Sequence, residues 1–298
     1  MDKFTRMIDE FVERHGVDPA VKNRIPDPHF EFIGQEIWDK AVAAILAGKN
    51  LLLVGEKSTG KNVLAENLAH VFGRPLWDVS LNINIDAASL IGADTLKGGN
   101  VVFQPGPVYE AARYGGFCVL DEINMAKNEA LAVLHSSLDF RRSIDVPGYS
   151  KIDINEAARF IATMNYGYAG TRDLNEALLS RFVVIEMPEL SEKELEDLFK
   201  KEFPDLKDKY LKQFAALFVD LRKKADAGEI SNACLDIRGL IDGLQLMKTG
   251  LDLGPAFDMT LVDKTFDPFE KDLIRDVIKG RFLRDLAKKD IFGDSHDN

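Results

Sequence analysis

Residues 51–61 read Leu-Leu-Leu-Val-Gly-Glu-Lys-Ser-Thr-Gly-Lys, an apolar run that enters a glycine-bounded loop and closes on a lysine. Further on, Phe117-Cys118-Val119-Leu120 forms a second apolar run and stops at the acidic pair Asp121-Glu122. A short segment that is apolar at every position suits a strand buried on both faces, as in a parallel sheet covered by helices. Behind Lys61, Val63, Leu64, Leu68 and Val71 recur at helical spacing, with Ala65 and Ala69 between them. Strand, glycine loop and helix follow in that order, which commits the chain to an α/β fold before any other residue is considered.

The loop also carries chemistry. Its spacing is G-x-x-x-x-G-K, spelled by Gly55, Glu56, Lys57, Ser58, Thr59, Gly60 and Lys61, with Asn62 and Val63 opening the helix. Glycines at 55 and 60 permit positive φ and leave no Cβ in the way, so successive N–H groups can turn inward on phosphates. Lys61 is placed to reach the β- and γ-phosphates of a nucleoside triphosphate, and the helix points its positive end at them. The usual pattern continues with Ser or Thr, whose hydroxyl binds Mg²⁺. Here Asn62 stands in that place. A carboxamide oxygen can ligate Mg²⁺ directly or through water, but it is longer than a hydroxyl and lacks its proton. Two readings stay open: a working site with an amide ligand, or one that binds nucleotide and turns it over poorly.

Asp121 is the expected holder of the Mg²⁺ shell, and Glu122 the group that orients or deprotonates the attacking water. A third apolar run, Phe160-Ile161-Ala162-Thr163-Met164, ends at Asn165. A polar residue at the carboxyl end of a central strand lies at the ligand edge of an open parallel sheet, so Asn165 is expected to position the water or sense the γ-phosphate. Arg181 follows a short helix and precedes Val183-Val184-Ile185, read as another buried strand. In a monomer Arg181 is an ordinary surface arginine; in a ring it could reach a neighbour's γ-phosphate.

Taken as an ordered set, GEKSTGKN (55–62), GPVYEAARYGGFCVLDEIN (106–124), ATMN (162–165) and GTRDLNEALLSRF (170–182) resemble the AAA+ ATPases. Within them the chain is similar to the MoxR group, including the CbbQ/NorQ-type proteins of the helix-2-insert clade. The similarity covers about residues 32–238, with a weaker match at Asp236-Ile237-Arg238-Gly239-Leu240. The resemblance implies that Gly55, Gly60, Lys61 and Asn62 form Walker A and that Asp121 and Glu122 form Walker B. It makes Asn165 sensor 1, Arg181 the arginine finger and Arg238 sensor 2, with Arg172 a second candidate for a contact in trans. It also implies ATP with Mg²⁺, a homo-oligomeric ring of hexameric type, and a protein client, often beside a partner with a von Willebrand factor A domain. Two hairpins, at Leu96–Phe103 and Ser143–Ile154 around Pro147-Gly148, fall where such proteins carry an insert and a hairpin facing a central pore. Phe30, Phe32, Ile33 and Gly34 fall where they contact adenine.

The acidic balance, 49 Asp and Glu against 38 Lys and Arg for a net charge of −11, argues against a broad nucleic-acid surface. A nucleic-acid-dependent motor is therefore the lesser alternative, beside a nucleotide-gated scaffold with weak hydrolysis. Cys118 lies inside an apolar strand, and two scattered cysteines make neither a disulfide framework nor a zinc site. No apolar run is long enough to span a bilayer, and the acidic N-terminus is unlike a secretory signal, so the expected place is the cytoplasm without a membrane.

The organisation expected is α/β, a parallel-sheet P-loop core followed by a smaller helical lid. Residues 1–30 read as an N-terminal helix, with Phe4, Met7, Ile8, Phe11 and Val12 on one face, and a connector at Pro26 and Pro28. Residues 31–188 read as the nucleotide-binding core. Residues 189–298 read as the lid, opened by the capping box Ser191-Glu192-Lys193-Glu194. Its further helices are expected at 210–227, 234–248 and 269–279, with a connection from Pro255 to Pro268 and a frayed end at 293–298.

Overall fold

The computed structural model of the chain describes residues 3–146, 148–165, 172–232 and 234–293. They fall into two compact units, Met1–Glu189 and Leu190–Asn298. In the first unit, α1 (Thr5–Arg14) and α2 (Gln35–Leu46) precede β1 (Leu51–Val54), α3 (Lys61–Val71) and β2 (Leu76–Ser80). Then come α4 (Ala87–Ile91), β3 (Gly92–Lys97), β4 (Asn100–Pro105), α5 (Pro107–Tyr114) and β5 (Phe117–Asp121). The unit closes with α6 (Asn128–Leu131), α7 (His135–Leu138), β6 (Ser143–Ile144), β7 (Ile152–Asp153), β8 (Arg159–Met164), α8 (Glu176–Leu179) and β9 (Val183–Glu186).

Five strands make one sheet in the order β2-β5-β8-β1-β9, every pairing parallel. The apolar runs explain this arrangement residue by residue. Leu51, Leu53, Phe117, Val119 and Ile161 enter the core shared with α2 and α3. Their neighbours Leu52, Val54, Cys118, Leu120, Phe160 and Ala162 enter the core on the other face, with α5. A strand packed on both faces has no position left for a polar side chain until it ends. Apart from Arg159 and Thr163 within β8, the polar residues of β1, β5 and β8 therefore collect at or just beyond their carboxyl ends.

β9 departs from its expected character. It is the edge strand, paired only with β1, and Val183 and Val184 are exposed while Ile185 alone is buried. The buried stripe of α1 is also narrower than its apolar pattern. Ile8 and Phe11 are buried, whereas Met7 and Val12 stay largely exposed. Phe11 meets the edge of Phe72 at 5.1 Å, which ties α1 to the same core as α2 and α3.

Both hairpins are present. β3 and β4 pair in antiparallel register across Gly98 and Gly99, whose φ values of 59° and 82° suit a tight turn between twisted strands. β6 and β7 form a shorter pair, with Pro147 outside the described residues. The two hairpins touch. Tyr149 donates its hydroxyl to Asp94 Oδ1 at 2.6 Å, and its ring lies 5.0 Å from that of Phe103.

The second unit is helical: α9 (Glu192–Glu202), α10 (Asp208–Asp226), α11 (Ile237–Thr249), α12 (Leu253–Thr260), α13 (Pro268–Lys279) and α14 (Lys288–Ile291). The capping box at Ser191 and Glu194 forms as its sequence dictates. α11 begins at Ile237, later than the apolar pattern suggests, because Asp236 caps it by accepting the Arg238 N–H. The stretch expected as a connection contains α12. Pro255 is its third residue, within the first turn, where a missing N–H breaks no intrahelical bond. Residues 294–298, at the end expected to fray, lie outside the described residues.

Phe214 is the hub of this unit. Its ring stacks on Phe282 at 4.5 Å and on Phe257 at 5.6 Å, and it meets Phe199 at 6.4 Å. Phe214→Ala is expected to cost about 3–5 kcal/mol by emptying a site that three rings enclose. Denaturant unfolding followed by circular dichroism should show the loss, whereas Phe266→Ala, at a side chain 93% exposed, should leave the midpoint in place.

Candidate active site

β1 delivers the chain into the loop between its two neighbours. The Gly55 N–H donates to Met164 O of β8 at 3.2 Å, and the Met187 N–H just past β9 donates to Val54 O at 2.7 Å. A Cβ at residue 55 would lie 2.5 Å from Met187 O, so glycine is required there by crowding. Gly55 does not use the positive φ that a glycine permits, so the missing Cβ is what the loop takes from it. Gly60 does need positive φ, at 82°, and Ser58 adopts φ 65° without being glycine. Left-handed backbone at a serine is strain that surrounding contacts must hold.

The turn aims the lysine inward. Lys61 is buried, and its ammonium donates to Gly55 O at 3.0 Å, to Glu56 O at 2.6 Å and to Thr59 Oγ1 at 3.4 Å. Glu56 and Lys57 are exposed at the rim, while Thr59 is buried and donates its hydroxyl to Glu56 O. Burial lowers the Lys61 pKa from its ordinary value to about 8, against the opposing pull of Asp121, Glu56 and Glu122. In α3 the first intrahelical bond runs from Leu64 N to Gly60 O. The N–H groups of Lys61, Asn62 and Val63 lie ahead of it, as an anion site at a helix start requires.

The acidic edge faces this loop. Asp121 ends β5, and its Oδ1 accepts the Thr163 hydroxyl at 2.5 Å. Thr163 Oγ1 in turn accepts the Glu122 N–H at 3.0 Å, fixing Glu122 in left-handed backbone at φ 56°. Asn62 donates its amide to Asp121 Oδ2 at 3.1 Å, and Asn165 donates to Glu122 Oε1 at 3.3 Å. Behind them Asn124 Nδ2 donates to Asn165 O at 2.9 Å. Asn165 Oδ1 and Asn124 Oδ1 are buried with no hydrogen-bond partner among the described residues. Buried acceptors left in this way call for a donor from water or a ligand.

These residues fit a Mg²⁺–triphosphate pair. The loop offers an ammonium and helix-start N–H groups, Gly55 and Gly60 leave room for close approach, and Asn165 carries an unsatisfied acceptor. Asp121 offers a carboxylate, and a half-turn of the Asn62 amide would present its oxygen where its nitrogen now points. Partial desolvation of the otherwise exposed Asp78 on β2, together with the Asp121 charge, raises the Asp78 pKa.

Lys61, Asn62, Asp121, Glu122 and Asn165 therefore converge as expected. Arg181 contacts none of them: it bonds His135 O, Ala177 O and Asp139. The Arg172 side chain is exposed, and its N–H donates to Asn124 O at 2.9 Å. Arg238 lies in the second unit, exposed on the first turn of α11. Three contributors were not read from the sequence. Thr163 orients the acidic pair, Asn124 holds the Asn165 backbone, and buried Asn67 accepts the Phe32 N–H and donates to Phe30 O, holding that segment on α3. Phe32 thereby lies against Gly60, where a Cβ would meet its ring at 3.5 Å. The signal for Asn67 was a polar residue between Leu64 and Leu68 on the buried face of a helix.

Residues 50–182 match the AAA domain of the dynein-related subfamily. The chain is 33% identical over 272 residues to the uncharacterized protein YojN of Bacillus subtilis, covering 89% of each. It is 36% identical over 255 residues to the uncharacterized protein SH1500 of Staphylococcus haemolyticus, covering 83% of this chain and 96% of that one. The chain belongs to the AAA domain family. No helix among the described residues of this AAA protein is long and apolar enough to cross a membrane.

The lysine gives the AAA site a measurable proton linkage. In the free protein the charged form is disfavoured, with a pKa of about 8. Phosphates favour that form, so nucleotide binding must raise the pKa and take up a proton at a pH above the free value. Calorimetry of ATP binding at about pH 9 in buffers of different ionisation enthalpy should show net uptake beyond that of the nucleotide itself, with affinity falling as pH rises from 8. Lys61→Arg should abolish this contribution.

Proposed function

We propose that this AAA protein is a MoxR-like ATPase, related to the CbbQ/NorQ type. In this reading it assembles as a ring of hexameric type in the cytoplasm and uses Mg-ATP hydrolysis to remodel or mature a protein client. A partner with a von Willebrand factor A domain fits the same reading. The observation that carries the ATPase function is the convergence of the Lys61 loop on the Asp121–Glu122 edge, with Asn62 touching Asp121 and Asn165 touching Glu122.

Each residue has a task that follows from its place. Lys61 and the α3 N–H groups bind the phosphates. Asp121 and Asn62 would hold Mg²⁺, which when bound supplies charge neutralisation to the phosphates. Glu122 accepts a proton from the attacking water. Its backbone is pinned by Thr163 and its carboxylate by the Asn165 amide, so it enters the reaction already oriented. Phe32, held by Asn67 beside Gly60, supplies an apolar face for the nucleoside.

A second reading is favoured by one contact. The Asn62 amide occupies Asp121 Oδ2, on the carboxylate that would hold the metal, so this site could bind ATP and hydrolyse it slowly as a nucleotide-gated scaffold. Steady-state ATPase over a protein concentration series, for the wild-type chain and Glu122→Gln, tests the main reading. It predicts turnover per protomer that rises with concentration and vanishes in the variant. Turnover no greater than that of Glu122→Gln contradicts it. Asn62→Thr separates the two: a large gain in rate marks the scaffold, and an unchanged or lower rate marks a working amide ligand.

A further inference from the structure

Among the described residues, Phe140, Phe266 and Phe269 are the aromatic side chains turned most fully to solvent, at 93%, 93% and 87% exposure. Phe266 and Phe269 stand among Asp263, Asp267 and Asp272, whereas Phe140 is followed by Arg141 and Arg142. The turn that carries Phe140 is built to hold it still. Asp139 Oδ1 accepts the Arg141 N–H at 3.0 Å, and the Arg141 guanidinium grips the same carboxylate from Nε at 3.0 Å and from Nη2 at 2.7 Å. Arg181 adds a further hold, Nη2 to Asp139 Oδ2 at 3.3 Å. Arg142 lies in left-handed backbone at φ 40°, its N–H donating to Asp139 O at 3.1 Å and its Nη2 to Asn155 O at 2.8 Å. Strain and ion pairs spent on displaying an apolar ring point to a use for the ring. With Glu156 near Arg142, three guanidiniums stand against two carboxylates at this turn.

The same unit carries a cavity of opposite sign. It measures about 610 Å³ and opens between α1, the entry to α2, and α3. Ile8, Phe32 and Trp38 wall it, the exposed Asp9, Asp27 and Glu31 edge it, and no Lys or Arg is among its described lining residues. None of residues 55–63 lines it, which separates it from the phosphate loop. Ring and cavity lie on opposite faces of the five-stranded sheet. Leu138 and Ile144, on either side of the turn, enter the core shared with α5. Ile8, Phe32 and Trp38 belong to the core shared with α2 and α3. The sheet stands between a chain's own Phe140 and its own cavity, so a Phe140 ring that fills the cavity comes from another copy.

We infer that Phe140 of one copy seats in this cavity of a second copy, with Arg141 and Arg142 facing Asp9, Asp27 and Glu31. The inference rests on the ring reading above and names the anchor of its subunit contact. The chain as a whole carries −11, so copies repel unless a local cationic patch meets a local acidic one. The turn and the cavity are such a pair, and the acid-flanked Phe266 and Phe269 are not. A buried aromatic ring covers about 150–250 Å², the scale of an anchor within a larger contact. Because the turn is already rigid, seating the ring loses little conformational freedom. Two different patches meeting make a head-to-tail contact: each copy gives its ring to one neighbour and receives the ring of another.

The test uses the full chain with Mg²⁺ and ATP. Benzoylphenylalanine in place of Phe140, in an equimolar mixture of isotopically heavy and light chains, reports its contact under ultraviolet light. Cross-links joining position 140 of a heavy chain to the cavity-lining segments 5–9, 27–38 or 67–71 of a light one are expected. Sedimentation over a concentration series should place Phe140→Ala and Asp27→Lys at half-assembly concentrations about tenfold or more above the wild type, with Tm unchanged. Mixed one to one, the two variants should form a complex at a concentration where neither assembles alone, since one keeps the cavity and the other keeps the ring. In a wild-type chain that assembles, cross-links that map elsewhere on the neighbour, or wild-type assembly by Phe140→Ala, overturn the inference and leave the ring reading standing. Variants that fail to complement each other overturn the head-to-tail contact in the same way. A wild-type chain that stays monomeric across the series removes both.

Discussion

Lys61 carries a positive charge into a place that water barely reaches, and no carboxylate among the described residues is bonded to it. Its three donors are spent on Gly55 O, Glu56 O and Thr59 Oγ1, which are dipoles and not counter-ions. Burial wins over the attraction of Asp121, Glu56 and Glu122, and the pKa falls to about 8. A buried cation satisfied only by carbonyls and a hydroxyl is an unbalanced charge, and phosphates are a ligand that would balance it. The surrounding structure serves that imbalance. Crowding at Gly55, left-handed backbone at Ser58 and Gly60, and the start of α3 all hold the ammonium where an anion must come to it.

The second constraint is the sheet. β1, β5 and β8 are buried on both faces, so after Arg159 at the start of β8 the chain has almost no polar position until those strands end. Gly55, Asp121 and Asn165 each come at or just past such an end, and parallel pairing puts those ends side by side. Thr163 is the exception that makes the edge specific. It is a buried hydroxyl inside β8, bonded to Asp121 on one side and to the Glu122 N–H on the other. Through it one strand fixes the Asp121 carboxylate and the Glu122 backbone at the end of another.

Much of this was legible in the sequence because it depends on local pattern. Continuous apolar runs report strands buried on both faces, and Gly-x-x-x-x-Gly-Lys reports the turn between strand and helix. What was not legible depends on partners far along the chain. Val183-Val184-Ile185 reads like β1, yet it pairs on one side only, and nothing within three residues reveals an edge. Pro255 reads as a break, yet it opens α12, since the first turn of a helix tolerates proline. Asn67, Asn124 and Thr163 are polar residues whose partners in the site lie 35 or more positions away, so spacing could not assign them. Arg181 sits in the expected motif, but its engagement is decided by Asp139, which the motif does not contain.

The central claim is that the loop around Lys61 is a phosphate site completed by ligand. Titration of ATP, ADP and adenosine into the Glu122→Gln chain, with Mg²⁺ present, tests it without interference from hydrolysis. The account predicts tight binding of the two phosphorylated ligands, adenosine weaker by several orders of magnitude, and loss of the difference in Lys61→Ala. Equal affinity for all three, or binding that Lys61→Ala leaves intact, would contradict it.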